Sequence, residues 1–284
     1  MDVSINITAY PGSGDVPAGL ADLGRAADDR GLHTIWATDH LMQADPTASP
    51  TDPMLEAYSV LNFLAAATRR VRLGAMVSPV TFRAPALLVK IVTTLDVLSA
   101  GRAWLGIGAG YQEEEATAMC LPLPPAGVRF EHLEDALLLA TQMWRGDHAP
   151  FTGLRTHLER PLCFPPPVTR PHPPILIGGS GEQRTLRLVA EHADACNLFD
   201  LPDGGATIRH KLDVLRRHCE TVGRDYDEIS KTVSTGLVDG ESPEAFARRC
   251  AQLRSYGIDH VVVITRGRPF TPGDVDIVAS GTQV

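Results

Sequence analysis

The stretch from Leu98 to Glu115, LSAGRAWLGIGAGYQEEE, constrains the fold more than any other part of the chain. A helical pattern stops at Gly101, an apolar strand follows over about Ala103–Ile107, and a glycine-rich turn opens straight into acidic residues. Helix end, buried strand and loop in this order mark a βα repeat, in which functional groups gather where the strands end. The junction recurs. Arg30-Gly31-Leu32 leads into Thr34-Ile35-Trp36, Ala100-Gly101-Arg102 into Ala103-Trp104-Leu105, and Tyr256-Gly257-Ile258 into His260-Val261-Val262. Glycine is the residue that most easily takes the left-handed conformation ending a helix, so each junction reads as helix, stop, strand.

Eight strands are predicted: Val3–Ala9, Thr34–Thr38, Val71–Ser78, Ala103–Ile107, Ile175–Gly178, Ala195–Phe199, Lys231–Thr235 and His260–Thr265. Most are continuous apolar runs, as expected of parallel strands buried on both faces. Between two of them, Leu87, Leu88, Ile91, Val92, Leu95 and Leu98 recur at helical spacing and should pack one face on the sheet. Another helix has Ser242 as N-cap and Pro243 at its first position, with Phe246, Cys250 and Leu253 facing inward. Eight strands in this alternation favour a closed (β/α)₈ TIM barrel over an open doubly wound sheet. The Rossmann alternative fails on Gly106-Ile107-Gly108-Ala109-Gly110, which lacks the full GxGxxG spacing and comes too late in the chain.

A chain of 284 residues with 44% hydrophobic content can bury one large core, so residues 1–284 are expected to form one TIM-barrel domain. The formal charge of −8 and the scattered arginines argue against a nucleic-acid surface. No window is apolar enough for a membrane span, and no signal peptide is apparent. Five widely spaced cysteines without a CxxC read as reduced, mostly buried thiols of a cytoplasmic protein, and no metal site is expected. The rhythm breaks over 147–174, where proline is dense; this reads as an excursion over the barrel with a short hairpin near Phe151–Leu162. Asp45–Pro53 is a second irregular loop. Each reads equally as a connector and as a lid.

Three places carry candidate chemistry. Asp39 and His40 end the second strand, where an Asp beside a His can orient or charge an imidazole that works near neutral pH; a histidine that merely caps the loop fits as well. Gly178-Gly179-Ser180-Gly181 carries a strand into a helix that begins near Glu182-Gln183-Arg184. Bare N–H groups, the helix dipole and the Ser180 hydroxyl make an anion site there, with Arg184 adding charge, and phosphate is favoured over a purely structural turn. Gly106–Tyr111 permits close approach of a flat ligand, while Glu113, Glu114 and Glu115 read as solvated residues complementing the helix dipole. No HExxH, GxSxG or P-loop is present, so hydrolysis by serine, cysteine or metal lacks support.

These residues resemble a known family, the bacterial luciferase-like flavin and deazaflavin oxidoreductases, and most closely their coenzyme F420-dependent group. The resemblance rests on LHTIWATDHL, RRVRLGAMVSPVTFR, TLDVLSAGRAWLGIGAGYQEEE, LPLPPAGVRFEHLED and PILIGGSGEQRT, spread in the family's order over about two thirds of the chain. It implies a luciferase-like TIM barrel in which Asp39 and His40 lie beside the cofactor ring and His40 serves as acid/base. It further implies a non-proline cis peptide at Met76-Val77, next to Ser78, behind the ring. Gly108, Ala109, Gly110 and Tyr111 would then run along the ring, and Gly178, Gly179, Ser180 and Gly181 would hold the phosphate. The implied activity is hydride transfer between F420 and a small organic substrate. A luciferase-like monooxygenase using reduced FMN and oxygen is the first alternative, and a non-catalytic flavin-binding or storage protein the second. The resemblance also suggests a homodimer. Tyr111 and Gln112 stand where many relatives have Trp and Asn, and Arg83-Ala84-Pro85 stands for their RHP.

Overall fold

The computed structural model describes residues 1–284. In chain order the elements are β1 (Asp2–Ile7), α1 (Val16–Asp29), β2 (Thr34–Ala37), α2 (Ala57–Ala67), β3 (Arg72–Ala75), β4 (Ser78–Pro79), α3 (Pro85–Leu98) and β5 (Ala103–Gly108). There follow α4 (Glu113–Ala118), α5 (Ala126–Trp144), β6 (Phe151–Thr152), β7 (His157–Leu158), β8 (Ile175–Gly178), α6 (Thr185–His192) and β9 (Ala195–Phe199). The chain ends with α7 (Ala206–Val222), β10 (Ser230–Gly236), α8 (Pro243–Ser255), β11 (His260–Ile264) and α9 (Pro272–Ala279).

Eight parallel strands close into a barrel in the order β1, β2, β3, β5, β8, β9, β10, β11, with β11 returning to β1 and β3 pairing β5 at Leu73↔Ala103. All eight expected strands are present. The third is interrupted after Ala75 and resumes as β4, which pairs with β5 at Ser78↔Ile107. Side chains alternate across the barrel wall. Val3, Ile5, Ile35, Leu73, Leu105, Val261 and Val263 belong to the core of 60 buried residues that includes the inner helix faces. Trp36, Met76, Trp104, Leu176, Ala195 and Val262 make a separate cluster that fills the barrel interior.

The glycine stops hold: Gly31, Gly101 and Gly257 have φ of +72°, +90° and +96°, the region a Cβ disfavours. The α8 reading also holds, with Ser242 Oγ accepting from the Ala245 N–H and Phe246, Cys250 and Leu253 buried. On α3 the inward face is narrower than expected. Leu88, Val92 and Leu95 are buried, whereas Leu87 and Leu98 are exposed. Arg102, just before β5, is buried among carbonyls, donating to Ala65, Thr68, Val71 and Ser99, and so satisfies the open C-terminal ends of α2 and α3. All five cysteines are free thiols, four of them buried.

The proline-rich segment does not pass over the barrel mouth. It joins the end of α5 to the start of β8, and both of those lie at the N-terminal face. Its hairpin β6–β7 runs along the flank of α5, where the Asp135 carboxylate accepts from the N–H groups of Leu154, Arg155 and Thr156 at 2.7–2.8 Å. Asp96, in the last turn of α3, accepts from Val168 and Thr169 N–H at 2.7 and 2.9 Å. The segment is a connector on the face opposite the site.

Candidate active site

The C-terminal strand ends and the βα loops after them form the barrel mouth. The β2 strand delivers Asp39 and His40 there, but the two side chains do not meet. Consecutive residues of an extended chain point to opposite sides, so Asp39 turns toward β4 and His40 toward α4. The expected orientation of the imidazole by Asp39 is therefore replaced by two separate arrangements.

Asp39 is fully buried. Its Oδ2 accepts from Ser78 Oγ and Arg83 Nη1, both at 2.6 Å, and its Oδ1 from Arg83 Nη2 at 3.1 Å. Arg83 Nη2 also donates to Glu56 Oε1 at 2.7 Å, while Glu56 caps α2 through the N–H groups of Tyr58 and Ser59. Tyr58 and Ser78 hydroxyls lie 2.9 Å apart, and the Arg83 guanidinium sits over the Tyr58 ring. Burial pushes the Tyr58 phenol above its ordinary value, and the nearby Asp39 adds to that. Burial opposes ionisation of Glu56, but hydrogen bonds from Ser59, Tyr58 and Arg83 outweigh it and hold its carboxyl low. This buried network ties β2, β4 and α2 together under the mouth.

His40 pairs instead with Glu115. His40 Nδ1 lies 2.8 Å from Glu115 Oε2, and Glu115 Oε1 accepts from the backbone N–H groups of Leu41 and Met42. Glu115, expected to be solvated, is only 2% exposed. Successive residues of a helix are rotated by about 100°, so of three consecutive glutamates on α4 only this one faces the barrel. Burial works against its charge, yet the hydrogen bond and charge of His40 and the two N–H groups prevail and keep its carboxyl below the usual range. An ionised carboxylate only accepts, so His40 Nδ1–H donates and Nε2 is the nitrogen left for other work. Tyr111 stands edge-on to the His40 ring at 6.1 Å between centroids and is itself exposed.

The remaining expected residues are contiguous with these. The Met76-Val77 peptide is cis, as the resemblance implied. Val77 fills the space beside two glycines: a Cβ on Gly108 would come within 2.9 Å of Val77 Cγ2, and one on Gly178 within 2.7 Å. Gly110, at φ +76°, brings the loop against Pro79 and Thr81, next to Ala109 and Tyr111. The chain then turns at Gly179, φ +110°, and α6 begins at Thr185, slightly later than expected. The N–H groups of Gly179, Ser180 and Gly181 donate to nothing in the chain. Beside them a cavity of about 120 Å³ is lined by Ser180, Leu198, Phe199, Ile208 and Lys211. Asn6 Oδ1, Tyr10 Oη and Thr81 Oγ1, near the C-terminal ends of β1 and β4, are buried without a partner in the chain.

Fold and site together define a (β/α)₈ barrel whose C-terminal mouth brings together the His40–Glu115 pair, the Met76-Val77 bulge and the glycine turn with its unpaired N–H groups. The profile of the luciferase-like monooxygenase family matches residues 3–273, and the chain belongs to that family. It is 30% identical to an F420-dependent glucose-6-phosphate dehydrogenase of Kineococcus radiotolerans, over 80% of this chain and 66% of that one. It is 31% identical to the enzyme of the same description from Microbacterium testaceum, over 75% of this chain and 62% of that one. The chain thus spans slightly less than two thirds of the length of these relatives. Among solved structures, an F420-dependent secondary alcohol dehydrogenase in complex with an F420–acetone adduct superposes with a TM-score of 0.82 at 15% identity, covering 98% and 97% of the two chains. That likeness concerns the fold. No helix is long and apolar enough to cross a membrane.

Sequence reasoning missed Glu115 as a partner and Arg83 as the counter-charge of Asp39. A helical-wheel reading of Glu113–Ala118 would have singled out one glutamate, though not which. The Arg83 role had no local signal, because the contact joins residues far apart in the chain.

Proposed function

We propose that the protein is an F420-dependent oxidoreductase that moves hydride between the deazaflavin and a small organic substrate. The observation that carries this reading is the His40–Glu115 pair at the rim of a mouth that also contains the bare N–H turn Gly179–Gly181. The residues fit the cofactor: the turn offers donors to a phosphate, and the Met76-Val77-Ser78 bulge with Gly108–Tyr111 offers a surface to a planar ring. The likeness to F420-dependent dehydrogenases supports the choice of deazaflavin over FMN.

When bound, the deazaflavin supplies a ring carbon that accepts or releases hydride. The chain does the rest. Gly179, Ser180 and Gly181 anchor the phosphate end. Asp39, held by Ser78 and Arg83, keeps β2 and the bulge in register. His40 Nε2 exchanges the proton that accompanies the hydride, while Glu115 fixes the ring through Nδ1 and offsets the charge of the imidazolium.

The test is calorimetric titration of the purified protein with oxidised F420 and, separately, with FMN. F420 should bind about tenfold more tightly than FMN. The reverse preference overturns the reading in favour of a reduced-FMN monooxygenase. His40→Gln should lower turnover by about 10²–10⁴-fold with F420 affinity retained. Tight binding with no turnover of any tested alcohol, aldehyde or sugar phosphate, and no effect of His40→Gln, would indicate a storage protein.

A further inference from the structure

The opposite, N-terminal end of the barrel holds a second cluster of chemistry-bearing side chains, unconnected with the mouth. Asp2 opens β1, His33 immediately precedes β2, and His260 opens β11. One ligand atom from each of the three lies within 4.8 Å of the others. We propose that Asp2, His33 and His260 form a binding site for a borderline transition-metal dication of the zinc class.

The donor set suits that ion: two imidazoles and one carboxylate, with a fourth position for water. A tetrahedral zinc with bonds near 2.1 Å sets its ligand atoms about 3.4 Å apart, so closing this set requires shifts on the order of 1 Å. His33 Nε2 already lies 3.8 Å from Asp2 Oδ2. The rings are oriented by their second nitrogens, as in built metal sites. His33 Nδ1 is 2.7 Å from Thr34 Oγ1, and His260 Nε2 is 2.5 Å from Ser4 Oγ. Each hydroxyl can accept a ring N–H. That leaves His33 Nε2 and His260 Nδ1 without hydrogen bonds, one imidazole edge-on to the other with centroids 4.8 Å apart. The Asp2 carboxylate accepts no hydrogen bond from the chain, so no protein donor competes for it.

There is also a way in. A cavity of about 330 Å³ opens on this face, lined by His33, Arg72, Trp104, Arg170 and Asp194. The Arg72 guanidinium stands over the Trp104 ring at 5.5 Å and opposes a cation electrostatically, so the site is expected to bind in a moderate range rather than as a permanent zinc centre. Such an ion would pin the starts of three adjacent strands, a stabilising role proper to the end of a barrel that carries no chemistry.

The test uses tag-free, full-length protein stripped of metal and titrated with Zn²⁺ and with Co²⁺. One Zn²⁺ per chain should bind, the melting temperature should rise, and bound Co²⁺ should show the intensified visible bands of a site with fewer than six ligands. Asp2→Asn and His33→Gln change side chains outside the closed sheet interior, and their metal-free melting temperatures check that they fold. Each should weaken binding by about tenfold or more. Equal binding by the folded variants and the unaltered protein overturns the proposal, as does a Co²⁺ spectrum unchanged from that of the aqueous ion.

Discussion

His40 and Glu115 are 75 positions apart and meet through Nδ1 and Oε2 at 2.8 Å, with side chains 15% and 2% exposed. The contact joins the loop after β2 to α4 across the mouth, and the same carboxylate holds the backbone of Leu41 and Met42. Glu115 is thus a positioning residue for His40. Glu115→Gln keeps an acceptor for the two N–H groups but loses the charge. It should lower kcat by up to about 10²-fold while leaving KM and F420 affinity nearly unchanged. Steady-state kinetics with a turned-over substrate check this; a loss confined to KM would show that Glu115 serves binding instead.

Arg83 is the only counter-charge of Asp39, whose side chain has no exposure to water. Breaking a buried pair from one side strands the other charge. Arg83→Met should destabilise the fold by about 3–5 kcal/mol, and adding Asp39→Asn should recover part of that loss. Urea unfolding of the two variants and the unaltered protein measures both steps. If Arg83→Met alone falls within 1 kcal/mol of the unaltered protein, in the range of an exposed pair, the network contributes little.

The barrel was legible because parallel strands covered on both faces leave continuous apolar runs, and because Gly31, Gly101 and Gly257 mark where helices stop. Ile175–Gly178 and Ala195–Phe199 were read to the residue for that reason. The turn at Gly178–Gly181, with its unpaired N–H groups, was legible through its glycines. What the sequence concealed were contacts between elements: Asp39 with Arg83, His40 with Glu115, and Asp2 with His33 and His260, which come together only when the sheet closes. The place of the proline-rich segment was deducible, although its prolines alone left connector and lid equally open. A connection from helix to strand in a βα barrel always lies at the N-terminal face, so residues 147–174 could not be a lid.

At Gly179 the backbone has φ +110°, while an added Cβ would rest 3.5 Å from Thr185 Cγ2. The space is adequate and the conformation is not. Gly179→Ala should therefore leave the barrel folded but reshape the turn, at a cost of about 1–2 kcal/mol, and weaken F420 binding about tenfold. Thermal melts and titration of the same preparation separate the two effects. Unchanged affinity would mean that the phosphate is held elsewhere.

Acid should loosen the molecule at defined carboxylates. Asp28, where α1 ends, accepts from the N–H groups of Arg69, Arg70 and Val71 at 3.2, 2.7 and 2.6 Å and so fastens α1 to the entry of β3. Burial alone would raise its pKa, but the three donors and the Arg70 charge overcome this and place it below the model-peptide value of 3.8. Glu115 is likewise held below its ordinary 4.5. A carboxyl depressed by folding adds stability wherever it is ionised in the unfolded chain too. Its contribution is full above the unfolded value and is lost as pH falls through the folded one. The contribution of these carboxylates should therefore be constant from neutrality down to about pH 5 and be lost steeply below about pH 4. It comes on top of an earlier loss below about pH 6.5, where His33, His192 and His260, held down by burial, stay neutral in the fold but charge in the unfolded chain. Asp28→Asn lacks the charge at every pH, so its deficit against the unaltered protein should be largest near neutrality and shrink as acid removes the charge from both. Denaturant unfolding across that range reads the gap directly, and a gap that stays constant would place the stabilisation in the hydrogen-bond geometry rather than in the charge.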